Sequence, residues 1–270
     1  MCFGVRDAIA LAQEQASNSP LTILGDLVHN ETVLADLRDK GIQIAGQASE
    51  IETATVMITA HGTSQISLNG LKERNHAVIE ATCPLVHFAH RSLKKLVEAG
   101  FHPIIIGKRD HVEVRGMSDD LHYFDVVLSE ADIARLEEHP RLGIISQTTQ
   151  PIERVLHLVE LIQQRFPRAE IRFIDTVCQP TKNRQTAAVE IAKQSDVVIV
   201  IGGSQSNNTR ELVRTCGQHC ARVHHVQTAN DLRTEWFSPG DKVGITAGTS
   251  TPDSVIAAVE LRLWELGEQR

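Results

Sequence analysis

Short β-branched runs alternate with helical stripes along almost the whole chain, and that alternation leaves few folds open. Runs at 21–24, 54–59, 77–81, 103–106, 143–146, 171–175, 196–201 and 242–246 read as strands, each short, apolar and bounded by turn residues. Between them apolar positions recur at helical spacing. Pro151 followed by Ile152, Val155, Leu156, Val159 and Ile162 gives a one-sided stripe of the kind that packs on a sheet. Further helices are predicted at 5–15, from Pro84 onward, and at 182–193. Strands that alternate with helices build parallel sheets covered by helices, so the predicted fold class is α/β. At 270 residues the chain holds two or three such domains, and no Gly/Ser-rich or Pro-rich linker divides it.

Composition narrows the function. Lys and Arg number 27 against 34 Asp and Glu, a net charge of −7, so no chain-wide electrostatic footprint for nucleic acid is expected. Seven Phe, two Trp and one Tyr are too few for a stacking platform on single strands. No basic segment followed by an apolar core opens the chain, and no apolar run is long enough to span a bilayer, which predicts a cytoplasmic protein with no membrane partner. The cysteines, Cys2, Cys83, Cys178, Cys216 and Cys220, are odd in number and mostly far apart, unlike a secreted disulfide framework. In a reducing compartment thiols mean metal or catalysis more often than cross-links.

Three cysteines share a context. Cys83 follows a predicted strand and precedes a helix that starts at Pro84; Cys178 follows another strand and precedes a helical segment with Pro180 near its start; Cys2 precedes the helix predicted at 5–15. Their spacing is that of small α/β units, giving three pseudo-repeated domains at 1–82, 83–177 and 178–270. A thiol at a helix start is stabilised as thiolate, and the carboxyl ends of strands are where open α/β sheets place their ligands. Three converging thiolates suit zinc or an iron–sulfur cluster, with one coordination position or one iron left for substrate. Spacing alone leaves buried packing cysteines as an equal alternative.

The surrounding residues decide between these. In order the chain carries His29-Asn30, Ala60-His61-Gly62, Ala81-Thr82-Cys83-Pro84-Leu85-Val86, His111-Val112-Glu113, Ser146-Gln147-Thr148-Thr149, Cys178 with Asn183-Arg184-Gln185 beyond it, Gly202-Gly203-Ser204-Gln205-Ser206-Asn207-Asn208 and Thr246-Ala247-Gly248-Thr249-Ser250-Thr251-Pro252. This series closely resembles the 4-hydroxy-3-methylbut-2-enyl diphosphate reductase family, also called IspH or LytB, over essentially the whole chain. The resemblance implies a trefoil of three α/β domains around a [4Fe–4S] cluster held by Cys2, Cys83 and Cys178. It implies an oxidoreductase of the non-mevalonate isoprenoid pathway that removes an allylic hydroxyl with two electrons and two protons, giving isopentenyl and dimethylallyl diphosphates. A flavodoxin- or ferredoxin-type protein would donate the electrons.

Carried over by motif, His29, His61 and His111 would lie near the substrate, largely at its diphosphate, with Ser206, Asn208 and Ser250 supplying further hydrogen bonds. Glu113 would be the proton source; Thr148, with Thr181, would position the hydroxyl and its proton relay. The chemistry of these residue types agrees: a diphosphate wants many donors, and a poor hydroxide leaving group wants a Lewis acid and a carboxylic acid. His111 and Glu113 are expected in a strand or extended loop, facing one side. Each motif alone also has an ordinary reading, His29-Asn30 and Thr148-Thr149 as helix starts and 206–208 as a polar loop.

Some features depart from the family. Cys2 directly follows Met1, where a short strand usually precedes the cysteine, so either the third domain lacks an edge strand or the native start lies upstream. The run 107–111 adds Lys108 and Arg109 near the diphosphate end, and Asn207 stands where serine is common. A divergent paralogue, a cluster-binding redox sensor or an enzyme of another diphosphate, is the alternative function. Cys216 and Cys220 are expected four apart on one helix as packing residues rather than a second metal site. His87, His90, His102 and His157 are expected in packing or surface roles.

Overall fold

The computed structural model describes residues 1–268. Eleven strands in these residues form three all-parallel sheets. The first contains β1 (Leu21–Leu24), β2 (Gln43–Ala45), β3 (Thr55–Ile58) and β4 (Ala77–Glu80) in the order β2-β1-β3-β4. The second contains β5 (His102–Ile106), β6 (Asp125–Val127), β7 (Arg141–Ser146) and β8 (Glu170–Phe173) in the order β6-β5-β7-β8. The third contains β9 (Val197–Ile201), β10 (Val223–Val226) and β11 (Val243–Ala247) in the order β10-β9-β11. The α/β expectation therefore holds, and one strand order recurs three times.

Helices connect the strands: α1 (Phe3–Asn18), α2 (Glu31–Asp39), α3 (Gln65–Glu73), α4 (Pro84–Glu98), α5 (Val112–Ser118), α6 (Glu130–Ile133), α7 (Ile152–Arg165), α8 (Gln179–Gln194), α9 (Asn207–Gly217) and α10 (Asp253–Glu268). Their starts are set locally. Pro84 occupies the first turn of α4, where its missing N–H costs nothing. Ser206 caps α9 by accepting from the Thr209 N–H at 3.3 Å. No helix among the described residues is long and apolar enough to cross a membrane.

Central strands are buried on both faces. In β5, Ile104 and Ile106 pack with Val155, Leu158 and Ile162 of α7, while Ile105 packs with Leu93 and Leu96 of α4. In β9, Val198 and Val200 meet Ala188 and Leu212, and Val197, Ile199 and Ile201 meet Val259. Full burial on both sides explains why these runs are continuously apolar rather than alternating. Each such side chain contributes roughly 1.5–3 kcal/mol of transfer free energy.

The chain forms two compact units, one of Met1–Arg6, Val28–Asp36 and Gln179 onward, the other of Asp7–Leu27 and Leu37–Cys178. The first carries the third sheet and the second carries the other two.

Two local expectations are corrected. His111 has the expected extended backbone but serves as the N-cap of α5, and Glu113 lies in the first turn of that helix rather than in extended chain, the His111 Nδ1 accepting from the Glu113 N–H at 3.2 Å. Imidazole here does the capping that Ser, Thr or Asp usually does. Cys216 and Cys220 do not share a helix, because α9 ends at Gly217 and Cys220 follows in the turn before β10.

Candidate functional site

A strand order of the type 2-1-3 sends the chain out on one side of the first strand and back on the other, leaving a crevice at the carboxyl ends of the first and third strands. The loops leaving those strands carry the residues singled out by sequence. His29 follows β1 and His61 follows β3; His111 and Glu113 follow β5 and Thr148 follows β7; Ser206 and Asn208 follow β9 and Ser250 follows β11.

At the second sheet the geometry is that of a buried acid. Glu113 is 1% exposed, and Thr148 bonds both of its carboxyl oxygens: the Thr148 N–H donates to Oε1 at 2.6 Å and the hydroxyl to Oε2 at 3.0 Å. Burial raises the Glu113 pKa from 4.5 to about 7, although the two Thr148 bonds act in the opposite direction. The carboxyl is thus poised to hold or release a proton near neutrality. When protonated, Oε2 donates to the Thr148 oxygen, whose own hydrogen is then free to point outward. His61 meets His111 edge to face, with ring centroids 5.7 Å apart and planes at 87°. The turn behind His61 depends on Gly62, at φ +74°, where a Cβ would come within 3.1 Å of Thr82 and 3.3 Å of Val86.

The third sheet carries a polar nest without an acid. Ser206, Asn207, Asn208, Thr209, Thr249, Ser250 and Thr251 are all buried, gathered at the N-terminus of α9 and the loop after β11. Asn208 Oδ1 accepts from the Thr249 N–H at 2.9 Å, while its buried Nδ2 has no hydrogen-bond partner among the described residues. Thr209 Oγ1 is equally unpartnered. Buried polar atoms of this kind cost about 1–3 kcal/mol each unless something satisfies them. An unpaired donor in the first turn of a helix suits an anion such as a phosphate. His29 belongs to this unit: its carbonyl accepts from Ser250 Oγ at 3.4 Å, and a Cβ at Gly203 would lie only 2.2 Å from that oxygen. Thr209 was missed by sequence reading; its one signal is a third polar residue in the first turn of α9 after Asn207-Asn208.

Thr181 lies in the first turn of α8, completely buried. Lys108 and Arg109 are exposed. Arg109 lies over the Phe124 ring at 6.0 Å, and the Lys108 N–H donates to Gln147 Oε1 at 3.1 Å.

The cysteines separate into two chemical classes. Cys2, Cys83 and Cys178 are partly exposed, and each immediately precedes a helix: α1, α4 and α8. Each also makes the same backbone bond. The amides of Cys2, Cys83 and Cys178 donate to the carbonyls of Thr249, Ala60 and Thr148 at 2.9, 3.1 and 2.9 Å, and each acceptor lies two residues past the end of β11, β3 or β7. Cys216 and Cys220 are buried, their sulfurs directed at backbone carbonyls. Burial, with Cys220 adding to it, pushes the Cys216 thiol up to about 11. A soft metal takes thiolate ligands; Cys2, Cys83 and Cys178 each have the exposure and helix-start placement of such a ligand, and the buried Cys216 and Cys220 do not.

A family model described as LytB protein matches residues 1–264. The chain is 36% identical to the 4-hydroxy-3-methylbut-2-enyl diphosphate reductase of Geobacter metallireducens over 267 residues, covering 98% of this chain and 94% of that protein. It is 35% identical to the reductase of the same description from Dictyoglomus thermophilum, with 96% and 91% covered. A solved structure of (E)-4-hydroxy-3-methyl-but-2-enyl diphosphate reductase, described as the terminal enzyme of the non-mevalonate pathway, is similar with a TM-score of 0.70 at 35% identity, covering 98% of this chain and 96% of that one. The Plasmodium falciparum reductase structure is similar with a TM-score of 0.91 at 27% identity, covering 97% and 84%.

Proposed function

The chain belongs to the LytB protein family, and on that premise we propose that it reduces (E)-4-hydroxy-3-methylbut-2-enyl diphosphate to isopentenyl and dimethylallyl diphosphates, the last step of the non-mevalonate isoprenoid pathway. Loss of the allylic hydroxyl as water consumes two electrons and two protons. The observation that carries the reading is Glu113, a fully buried acid at a strand carboxyl end, bonded through both oxygens to Thr148 and titrating near neutrality.

In this reading the Glu113 proton reaches the substrate hydroxyl through the Thr148 Oγ1, so that water rather than hydroxide departs. Thr181, buried in α8, helps position that hydroxyl. The diphosphate is held by donors rather than by a cationic patch: Asn208 Nδ2, Ser206, Ser250 and the first amides of α9, with His29, His61 and His111 completing the set. A helix N-terminus offers phosphate both partial positive charge and unsatisfied N–H groups.

Cys2, Cys83 and Cys178 are the thiolates we assign to a [4Fe–4S] cluster, supported by their exposure, helix-start placement and repeated backbone bond. When bound, the cluster supplies the electrons and a Lewis-acidic iron. A flavodoxin- or ferredoxin-type protein delivers those electrons one at a time. A redox sensor would have no use for the buried Glu113–Thr148 pair.

The test is anaerobic reconstitution with iron and sulfide followed by addition of the allylic diphosphate and reduced methyl viologen. Substrate-dependent viologen oxidation is expected. A protein that takes up no cluster, or takes one up and leaves viologen reduced, contradicts the proposal.

A further inference from the structure

At the opposite end of the second sheet from Glu113, three potential metal ligands converge. His102 opens β5, Asp125 opens β6, and His139 lies two residues before β7, so all three come from the amino ends of neighbouring strands. One ligand atom from each lies within 4.8 Å of the others. His102 Nε2 is 2.8 Å from Asp125 Oδ2. The imidazoles of His102 and His139 stack with centroids 3.8 Å apart and planes at 4°. They border a cleft that His122 and Glu137, both exposed, also line. The Arg135 guanidinium at its rim is paired with Asp132.

We propose that His102, Asp125 and His139 form a site for a divalent transition-metal ion, best matched by zinc, separate from the cysteines and from the reducing centre. The donor set is two imidazoles and a carboxylate, the borderline N/O combination that zinc takes readily. Zinc–nitrogen bonds of about 2.1 Å in a tetrahedron put ligand atoms about 3.4 Å apart. His102 Nε2 and Asp125 Oδ2, at 2.8 Å, part by about 0.6 Å to take up an ion between them, and the half-buried His139 turns out of its stack on His102, because lone pairs in parallel ring planes do not meet at one ion. A water, or Glu137 or His122 from the rim of the cleft, fills the fourth position. An ion here ties the segments before β6 and β7 to the start of β5, so its effect is on stability rather than on chemistry.

The experiment uses the cluster-loaded protein, so that Cys2, Cys83 and Cys178 do not compete, and titrates it with zinc chloride by calorimetry. One zinc per chain, a dissociation constant on the order of micromolar or tighter and a raised melting temperature are expected. X-ray absorption at the zinc edge should show nitrogen and oxygen neighbours with imidazole scattering. His102→Gln and His139→Gln should each weaken zinc at least about tenfold while iron content and reductase turnover stay as in the parent. Binding only at millimolar zinc, sulfur in the zinc shell, or undiminished affinity in both variants overturns the proposal. The edge spectrum of the unsubstituted protein decides the matter even if a variant fails to fold.

Discussion

Glu113 is the residue on which chemistry and stability pull apart. Its carboxyl titrates at about 7 when folded against 4.5 as the reference, so between those values the folded chain holds a proton that the unfolded chain has released. Stability therefore falls as pH rises through that window, by about 3 kcal/mol in all at 1.36 kcal/mol per unit. Glu113→Gln removes this linkage: thermal melts should show it more stable than the parent at pH 8 and equal to it at pH 5. Identical pH dependence in the two proteins would argue against a buried acid. As proton donor Glu113 must be protonated, so turnover should fall as pH rises above about 7. Thr148→Val deletes a bond that lowers the Glu113 pKa, so turnover drops and the alkaline limb of the pH profile moves upward. An unmoved limb contradicts the relay. The identity of these residues was legible in the sequence motifs; their state was not. His111-Val112-Glu113 read as extended because imidazole is an unusual helix cap, and only the folded chain reveals that capping turns Glu113 inward.

Among the elements, every predicted strand is present, and the three that sequence reading passed over share a cause. β2, β6 and β10 each lie at the edge of their sheet, hydrogen-bonded on one side only. They are three or four residues long and include Gln43, Asp125, His224 and His225, so they lack the length and continuous apolarity that mark the central strands. The polar nest at the start of α9 was similarly half legible: Ser206 and Asn208 stand out as polar, while burial and an unpartnered amide do not show in a sequence. Asn208→Asp keeps the shape and the Oδ1 acceptor but replaces the free donor with negative charge. KM for the diphosphate should rise about tenfold or more, the worth of a charge-assisted hydrogen bond, with the fold intact by circular dichroism. An unchanged KM would remove Asn208 from the phosphate site. Gly203→Ala drives a Cβ to within 2.2 Å of the His29 carbonyl. Urea denaturation should show a loss of about 1–3 kcal/mol, and a neutral result would mean that the loop yields.

Across the whole molecule one device repeats. A first and a third strand release functional loops at their carboxyl ends, and a cysteine at a helix start bonds two residues past the third strand, in Cys83 with Ala60, Cys178 with Thr148 and Cys2 with Thr249. The sequence hinted at this through three similar cysteine contexts. It could not reveal that Cys2, at the far end of the chain, bonds to the loop after β11, because only folding brings positions 2 and 249 together. If those three thiols hold the cluster, Cys2→Ser, Cys83→Ser and Cys178→Ser should each lose most of their iron after reconstitution, and Cys216→Ser and Cys220→Ser should keep it. The most direct measurement is product analysis of a single anaerobic reaction: parent and Glu113→Gln proteins, matched for iron, incubated with (E)-4-hydroxy-3-methylbut-2-enyl diphosphate and reduced viologen. The parent should yield isopentenyl and dimethylallyl diphosphates, and the variant should bind substrate yet turn over at least about a hundredfold more slowly. A cluster-loaded parent that returns the allylic diphosphate unchanged, or a variant that matches it, would contradict the account.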